Sequence, residues 1–588
     1  MTLRFSVLLL AGALLLSCYN SSGNTDTPAP PVSTGFCQVR DGVLYGPDGR
    51  EILLWGVNFQ TPLSWEVNRL AKAGVERSGA ALNAVTDRNL DDVQKLGATL
   101  LRCHLTPADF TDSEGRLVQT AYLDALDHLV AEAGKRNLFL CFAFLNHMGQ
   151  DGPGKAWAGK GSRTWIHDPA VVQCTKTFIR ALLERTNPYN GIPYKDNPSI
   201  AFWELINEPE MYDREALRST PYAQAYDDWL AAKKTGDSEK AYAQYREETV
   251  REYVDGMVDL LRACGDAHPV CWGLNWHRFR RGNADIFAGI AASKANLVAF
   301  CNYPGQDDVA RDYSNYRYDF TGKSFTDWFN RYSTLKDGYG WTLDPEFAGK
   351  AVTVYEFETF FNQSAWMYPV QALLFRSHRA QAATMWTYTF AEIACTSGGS
   401  HYLNLRTTPG KAASFMVARK IFENTPSAQK VTFADEMAGE GWCISREHNA
   451  AVYSDASWYC TSGETASGWS GITPSPTVRH IRGIGNSPLV SYGGNGLYFI
   501  DETDEGLSVE LMPDVTVVGD PFAKGDGVTP VTELDSTVPH PVSILLERWK
   551  ERASAVYSIQ DGQKVFVKTI KGTQALTLAP GRYLIVAQ

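Results

Sequence analysis

The 588-residue chain has no tract of clustered Lys and Arg, and its formal net charge is -11. That argues against a nucleic-acid partner, because phosphate binding needs clustered cations. There are 11 cysteines but no Cys-x-x-Cys pair and no Cys/His cluster, so neither a metal nor any other cofactor is implied. A Gly-x-Ser-x-Gly elbow is absent, and so is His-Glu-x-x-His, which removes esterase, serine-protease and zinc-protease chemistry. No short-period repeat of the solenoid or propeller kind is present. The N-terminal apolar run, Phe5 to Leu16, is too short to span a bilayer as a mature helix.

What is there is a globular composition, 44% hydrophobic and 21% charged, with a length that suits a full barrel plus a smaller domain. Arg4, the apolar run and Leu15-Leu16-Ser17-Cys18 together resemble a bacterial lipoprotein signal over residues 1–18, with Cys18 as the acylated residue. A simple secretory signal with an incidental Cys is the alternative. The lipoprotein reading implies export to the cell envelope and membrane contact through the lipid only. Residues 19–37, rich in Ser, Thr, Asn and Pro, read as a tether. Cys103, Cys141, Cys271 and Cys301 lie in apolar runs and are expected to be buried small hydrophobes. Cys443 and Cys460 are free to pair or not.

Over residues 38–425, strand-like and helix-like segments alternate. Apolar runs recur at Ile52 to Val57, Thr99 to Cys103, Leu138 to Phe144, Ile200 to Ile206, Val270 to Leu274, Leu297 to Phe300, Ala351 to Tyr355 and Ala383 to Tyr388. Short runs without polar alternation mark strands buried on both faces. Eight of them, each followed by a helix, imply an α/β fold, a (β/α)8 TIM barrel. A last helix is expected over Lys411 to Phe422. Two insertions, Met211 to Lys240 and Gln306 to Lys350, follow strand ends and should wall the active-site face. The second carries Tyr313, Tyr316, Tyr318, Trp328 and Trp341, each either in contact with substrate or packed within its loop. Residues 426–588 read as a C-terminal β-rich, sandwich-like domain, with Ile544 to Glu551 the main helical exception. Trp442, Trp458 and Trp469 could stack on sugars there. A buttress on the barrel is the preferred role, because no Pro/Ser linker separates the two parts.

The fourth run ends Trp203-Glu204-Leu205-Ile206-Asn207-Glu208-Pro209, and the seventh ends Val354-Tyr355-Glu356-Phe357-Glu358. An acid at a strand end of the barrel mouth is partly desolvated and holds its proton more tightly, as general-acid catalysis requires. Two carboxylates reaching inward from strands four and seven can stand about 5 Å apart, the separation of a retaining glycosidase. Glu358 competes with Glu356 for the nucleophile role. Glu356 is preferred because Glu358 falls where the loop begins.

These residues resemble the clan A glycoside hydrolases, and glycoside hydrolase family 5 in particular. Asp48-Gly49-Arg50 followed by Leu54-Trp55-Gly56-Val57-Asn58 is similar to that family's first strand. Asn187-Pro188-Tyr189-Asn190-Gly191, Tyr194-Lys195-Asp196-Asn197-Pro198-Ser199-Ile200 and the Asn207-Glu208-Pro209 stretch resemble endo-β-1,4-mannanases. The resemblance covers roughly residues 40 to 425. It implies a retaining hydrolase of β-linked glycans, of β-mannan or β-glucan type, acting on a polysaccharide or oligosaccharide. It also implies Glu208 as acid/base and Glu356 as nucleophile. Asn207 would hold the 2-hydroxyl, Arg102 would keep the nucleophile ionised and oriented, and Trp386 on strand eight would floor the sugar. Tyr303, Asn58 and His147 complete the substrate-binding candidates. The family's usual His-x-Tyr after strand six appears here as Cys301-Asn302-Tyr303, and Glu358 stands where Gly often follows. His147 is either the family's active-site histidine or an ordinary loop residue. A non-catalytic glycan-binding lipoprotein on the same barrel, or a transglycosidase with the same two glutamates, are the rival readings.

Overall fold

The structure, a computed structural model, describes residues 35–60, 65–146, 152–309, 318–358, 360–523 and 525–588. Cys18, His147, Tyr313 and Tyr316 lie outside them. Eight strands form a closed, all-parallel barrel: β1 (Leu54–Asn58), β2 (Leu100–His104), β3 (Phe139–Leu145), β4 (Ile200–Ile206), β5 (Val270–Gly273), β6 (Leu297–Asn302), β7 (Ala351–Phe357) and β8 (Ala380–Met385). Nearly every residue in them is buried, as continuous apolar runs require. The eighth strand starts three residues before the apolar run at Ala383. Ala380 and Gln381 join it because β7 pairs there, and Trp386 falls one residue beyond its end.

Gly56 allows β1 to approach β2, since a Cβ there would stand 1.8 Å from the carbonyl oxygen of Leu100. The connecting helices begin where the sequence offers caps. Ser78, Thr120, Asp168 and Ser238 each accept a backbone N–H from the first turn of the helix that follows. After β4, the inserted segment forms its own small core of Leu217, Tyr226, Leu230, Tyr242 and Tyr245. After β6, Trp341 is buried against Phe287 and Phe347, and Trp328 packs on Phe329 and Tyr332. Those two tryptophans therefore serve loop packing. Cys37, placed by its surroundings at the end of the tether, is buried, so the folded body starts slightly before residue 38.

The C-terminal domain has a ten-stranded sheet faced by a three-stranded one, with a separate two-stranded ribbon. Val452, Tyr459, Tyr498 and Ile500 of the large sheet share a core with Val490, Tyr492, Val542 and Leu576 of the small one. Ile544 ends a strand and only Glu547–Trp549 forms a 3-10 turn, so the expected helix there is absent. The domain lies directly on the barrel. Ile444, Ala451, Tyr453 and Phe499 belong to the barrel's own hydrophobic core, and Lys95 pairs with Glu510 at 2.5 Å. Trp458 is stacked on His480, with the Lys420 ammonium of the last barrel helix (Pro409–Asn424) 4.0 Å from its ring centre. Trp469 stacks on His448, and Trp442 packs against the barrel core. All ten described cysteines are free thiols. Cys443 sits opposite Val452 and Cys460 opposite Tyr453, neighbours on one strand whose side chains face opposite sides of the sheet.

A chain ending at residue 425 would leave this shared core open to water. Its expected behaviour is aggregation or a Tm far below that of the whole chain, read by differential scanning fluorimetry. A truncated barrel that is soluble and equally stable would show that the domain is dispensable.

Candidate active site

Arg102 lies at the centre of the barrel mouth, 1% exposed. Its Nε and Nη2 each donate to an oxygen of Glu204 on β4, both at 2.7 Å. Nη2 also donates to Asn207 Oδ1 at 2.8 Å, and Nη1 donates to Asn58 Oδ1 at 2.8 Å and Glu356 Oε1 at 3.0 Å. Nε2 of His104, two residues along β2 and on the same face, lies 2.8 Å from that Nη1 and 3.6 Å from Glu356. The Tyr355 ring centre stands 5.0 Å from the guanidinium. Such a set of planar, forked contacts suits arginine and not lysine.

A register shift between Phe300 and Cys301 marks a bulge where β6 meets β7. Its consequence is that consecutive side chains of β7 serve the interior: Tyr355 joins the barrel's inner cluster and Glu356 reaches Arg102, while Val354 and Phe357 pack outward. Strict alternation would have let Glu356 and Glu358 share a face. Instead Glu358 is wholly buried behind the barrel, held by Lys411 at 3.0 Å and Tyr368 at 3.0 Å, and is a structural ion pair. The second oxygen of Glu356 accepts from the Tyr303 hydroxyl at 2.7 Å. Burial pushes the Glu356 carboxyl up, but the His104 imidazole 3.6 Å away, the Arg102 charge and the Tyr303 hydrogen bond outweigh it and hold the group below its ordinary value.

Glu208 occupies a left-handed turn (φ +46°) two residues past β4, fixed by Pro209, whose carbonyl accepts from Asn275 Nδ2 at 3.2 Å. Its Oε1 accepts from the Tyr355 hydroxyl at 3.3 Å. Burial, then the negative charge of Glu356, raise its pKa to about 8, against the smaller pull of Tyr355 and Arg102. At neutral pH the mouth therefore holds one protonated and one ionised glutamate. That division of labour fits acid and nucleophile in retaining glycoside hydrolysis.

The structure brings Glu208, Glu356, Arg102, Asn207 and Tyr303 into one network, with Trp386 at its edge. Trp386 is partly exposed, with its ring 5.0 Å from that of His104, which suits a platform for a sugar face. Asn207 spends its amide on Asn146 Oδ1 at 3.2 Å. Asn58 is a correction: it is fully buried, its amide donates to the carbonyls of Tyr355, Thr384 and Met385, and its oxygen holds Arg102. It positions the network and has no face for substrate. Glu204, His104 and Tyr355 escaped the sequence reading. Glu204 had a signal, a charge inside a seven-residue buried strand that demands a buried cation. His104 had the two-residue spacing from Arg102. Tyr355 had none, because its role depends on the bulge. Among the described residues, Asp87, His128 and Glu132 also come together on outer helices, but Glu132 is paired with Lys135 and Arg136.

Residues 155–243 match a family model described as GH family 5 beta-mannosidase-like, a span that contains Glu204, Asn207 and Glu208. Mannan endo-1,4-beta-mannosidase 5 of Arabidopsis thaliana is 34% identical over 108 residues, 16% of this chain and 25% of that protein. Mannan endo-1,4-beta-mannosidase 1 of the same plant is 27% identical over 192 residues, 32% of this chain and 44% of that protein. The chain thus spans between a quarter and under half of these relatives' length. Among solved structures, the endo-beta-1,4-mannanase from Thermotoga petrophila aligns over 90% of this chain and 98% of its own, with 13% identity and a TM-score of 0.44. The endo-1,4-beta-mannanase from Rhizomucor miehei aligns over 60% and 91%, with 16% identity and a TM-score of 0.41.

Two predictions concern stability. Arg102→Met leaves Glu204 and Glu356 buried without their cation, and should cost about 3–5 kcal/mol in chemical unfolding. Glu208 holds its proton more tightly folded than unfolded, so the stability it contributes is full below pH 4.5 and is lost as pH rises to about 8. Glu208→Gln should therefore unfold at a higher temperature than wild type at pH 9, with the gap shrinking toward pH 4. A gap independent of pH would contradict the protonated acid.

Proposed function

We propose that this chain, which resembles glycoside hydrolase family 5, is a retaining glycoside hydrolase acting on β-linked, mannan-type chains. One observation carries the reading: Glu208 and Glu356 share a barrel mouth, the first with a neutral phenol as its donor and the second held by Arg102 and Tyr303, an arrangement that lifts the first to about 8 and keeps the second below its ordinary value. Glu356 attacks the anomeric carbon while Glu208 protonates the leaving oxygen. Glu208 then takes a proton from the water that releases the glycosyl-enzyme. Arg102, His104 and Tyr303 keep the nucleophile ionised and aimed, and Trp386 offers its face to a sugar ring. The mannan preference draws on the printed names of the relatives and on the matched stretch around Asn207-Glu208-Pro209. A non-catalytic glycan-binding role would leave this paired protonation without a use.

The same proposal includes the envelope. Leu15-Leu16-Ser17-Cys18 supports acylation at Cys18, and the Ser, Thr, Asn and Pro content of residues 19–37 supports a tether that lets the barrel reach a polymer outside the membrane. Among the described residues no helix is long and apolar enough to cross a membrane.

On β-mannan and aryl β-mannosides, Glu356→Gln should lower kcat by at least ~10³-fold on every substrate. Glu208→Gln should lose as much on mannan but far less on an aryl glycoside whose leaving group needs no proton. Proton NMR of the first product should show retained configuration; inversion, or no turnover of any β-glycan by the wild type, would overturn the proposal. Metabolic labelling with a fatty acid should mark the wild type and not Cys18→Ser, and an unlabelled wild type would remove the anchor.

A further inference from the structure

The buried ion pair of Lys411 and Glu358 stands outside the reaction just described. A further contact of its lysine gives it a use. Lys411 Nζ also donates to the carbonyl of Tyr402 at 2.9 Å. That carbonyl belongs to the segment joining β8 to the last barrel helix, which carries Trp386 as well. Its neighbours are pinned too. Phe361 N donates to the Ser400 carbonyl at 3.4 Å, Leu403 N to the Thr387 carbonyl at 3.2 Å, and Thr389 N to the Leu403 carbonyl at 2.8 Å. Between the two held carbonyls of Ser400 and Tyr402 sits His401.

The His401 ring packs on the rings of Tyr303, 5.1 Å between centres, and Phe360, 4.9 Å between centres. Tyr303 is the phenol that donates to Glu356 Oε2 at 2.7 Å, so His401 and the nucleophile flank one side chain. Tyr303, Phe360 and His401 follow the C-terminal ends of β6, β7 and β8, where barrel sites lie. Nδ1 of His401 is buried without a hydrogen-bond partner, while the residue is partly exposed, which leaves Nε2 as the nitrogen open to a ligand. Burial, opposed by the Glu356 charge and helped by that of Lys411, lowers its pKa to about 3, so the ring is neutral near pH 7. A neutral imidazole has one N–H and one lone pair, so Nε2 either donates or accepts. A sugar hydroxyl does both and suits either tautomer, whereas a carboxylate or an ammonium suits only one.

We propose that His401 is a substrate-binding residue whose Nε2 makes a hydrogen bond to a hydroxyl of the sugar that Glu356 attacks. The inference rests on the glycosidase reading above. No proton is transferred at His401, and the hydroxyl keeps its own. The segment after β8 then orients one sugar ring in two ways, by the face of Trp386 and by a polar contact from His401. Lys411 and Glu358 are positioning residues, because they act on the sugar only through the backbone that carries His401.

His401→Phe keeps an aromatic ring against Tyr303 and Phe360 and removes both nitrogens. On an aryl β-mannoside its kcat/KM should fall roughly tenfold, the loss of one hydrogen bond to substrate. Across the monodeoxy analogues of that mannoside, the loss should vanish on the one that lacks the partner hydroxyl, where variant and wild type should react equally well. A loss of the same size on every analogue, or none on the parent, would overturn the contact and leave His401 a packing role. A second readout needs neither turnover nor that variant. In Glu356→Gln, the side-chain ¹⁵N resonances of His401, assigned by their loss on adding His401→Gln, should move when mannobiose is titrated in. Unmoved resonances, with a wild type that cleaves the mannoside, would overturn the contact alone. Resonances that move, with a wild type that cleaves no β-glycoside, would keep the contact and overturn the hydrolase.

Discussion

One guanidinium, buried at the top of an eight-stranded barrel, faces three carboxylates. Arg102 takes Glu204 bidentately and Glu356 through a single N–H, and its remaining donors go to Asn207 and Asn58. In a desolvated site, charges cannot stay unpaired. Glu356 is held ionised by the cation together with His104 and Tyr303, while Glu204 is paired bidentately with the cation against the burial that raises its pKa. The third, Glu208, is left with a neutral phenol as its donor and keeps its proton. The chemical asymmetry of the pair follows from this count of charges in a dry space. It does not follow from any difference between the two glutamates themselves.

The scaffold exists to make that count possible. A closed parallel barrel has no free edge, and its strand ends converge on one mouth. The register that sets Asn58 beside Arg102, and Cys301 beside Glu356, brings residues far apart in the chain within hydrogen-bond reach. The bulge between β6 and β7 then turns two consecutive residues inward, so that the Tyr355 ring lies 5.0 Å from the Arg102 guanidinium and Glu356 accepts from it. The C-terminal sheets cover the outside of the barrel, sharing its core and using Trp442 and Trp458 as packing surfaces.

Much of the barrel was legible in the sequence because burial on both faces leaves a simple trace, a short apolar run. Trp55, Leu101, Phe142 and Trp203 announce their strands without any knowledge of neighbours. Glu208 and Glu356 were legible for the complementary reason, since a carboxylate ending such a run is costly unless used. The start of β8 was less so, because Ala380 and Gln381 carry little apolar signal and join the sheet through pairing with β7. Asn58 was read as a ligand-facing residue, whereas its amide is consumed by three carbonyls of β7 and β8.

The order of elements, the eight-strand count and the pair of strand-end acids were thus determined by local pattern, where side-chain polarity against burial decides alone. Which acid keeps its proton, which of Glu356 and Glu358 enters the site, and what Tyr355 touches were decided only by tertiary structure. Those outcomes depend on distances between strands and on a one-residue register shift. Hydrogen bonds a few ångströms long join residues that are hundreds of positions apart, and a linear pattern carries no measure of that separation.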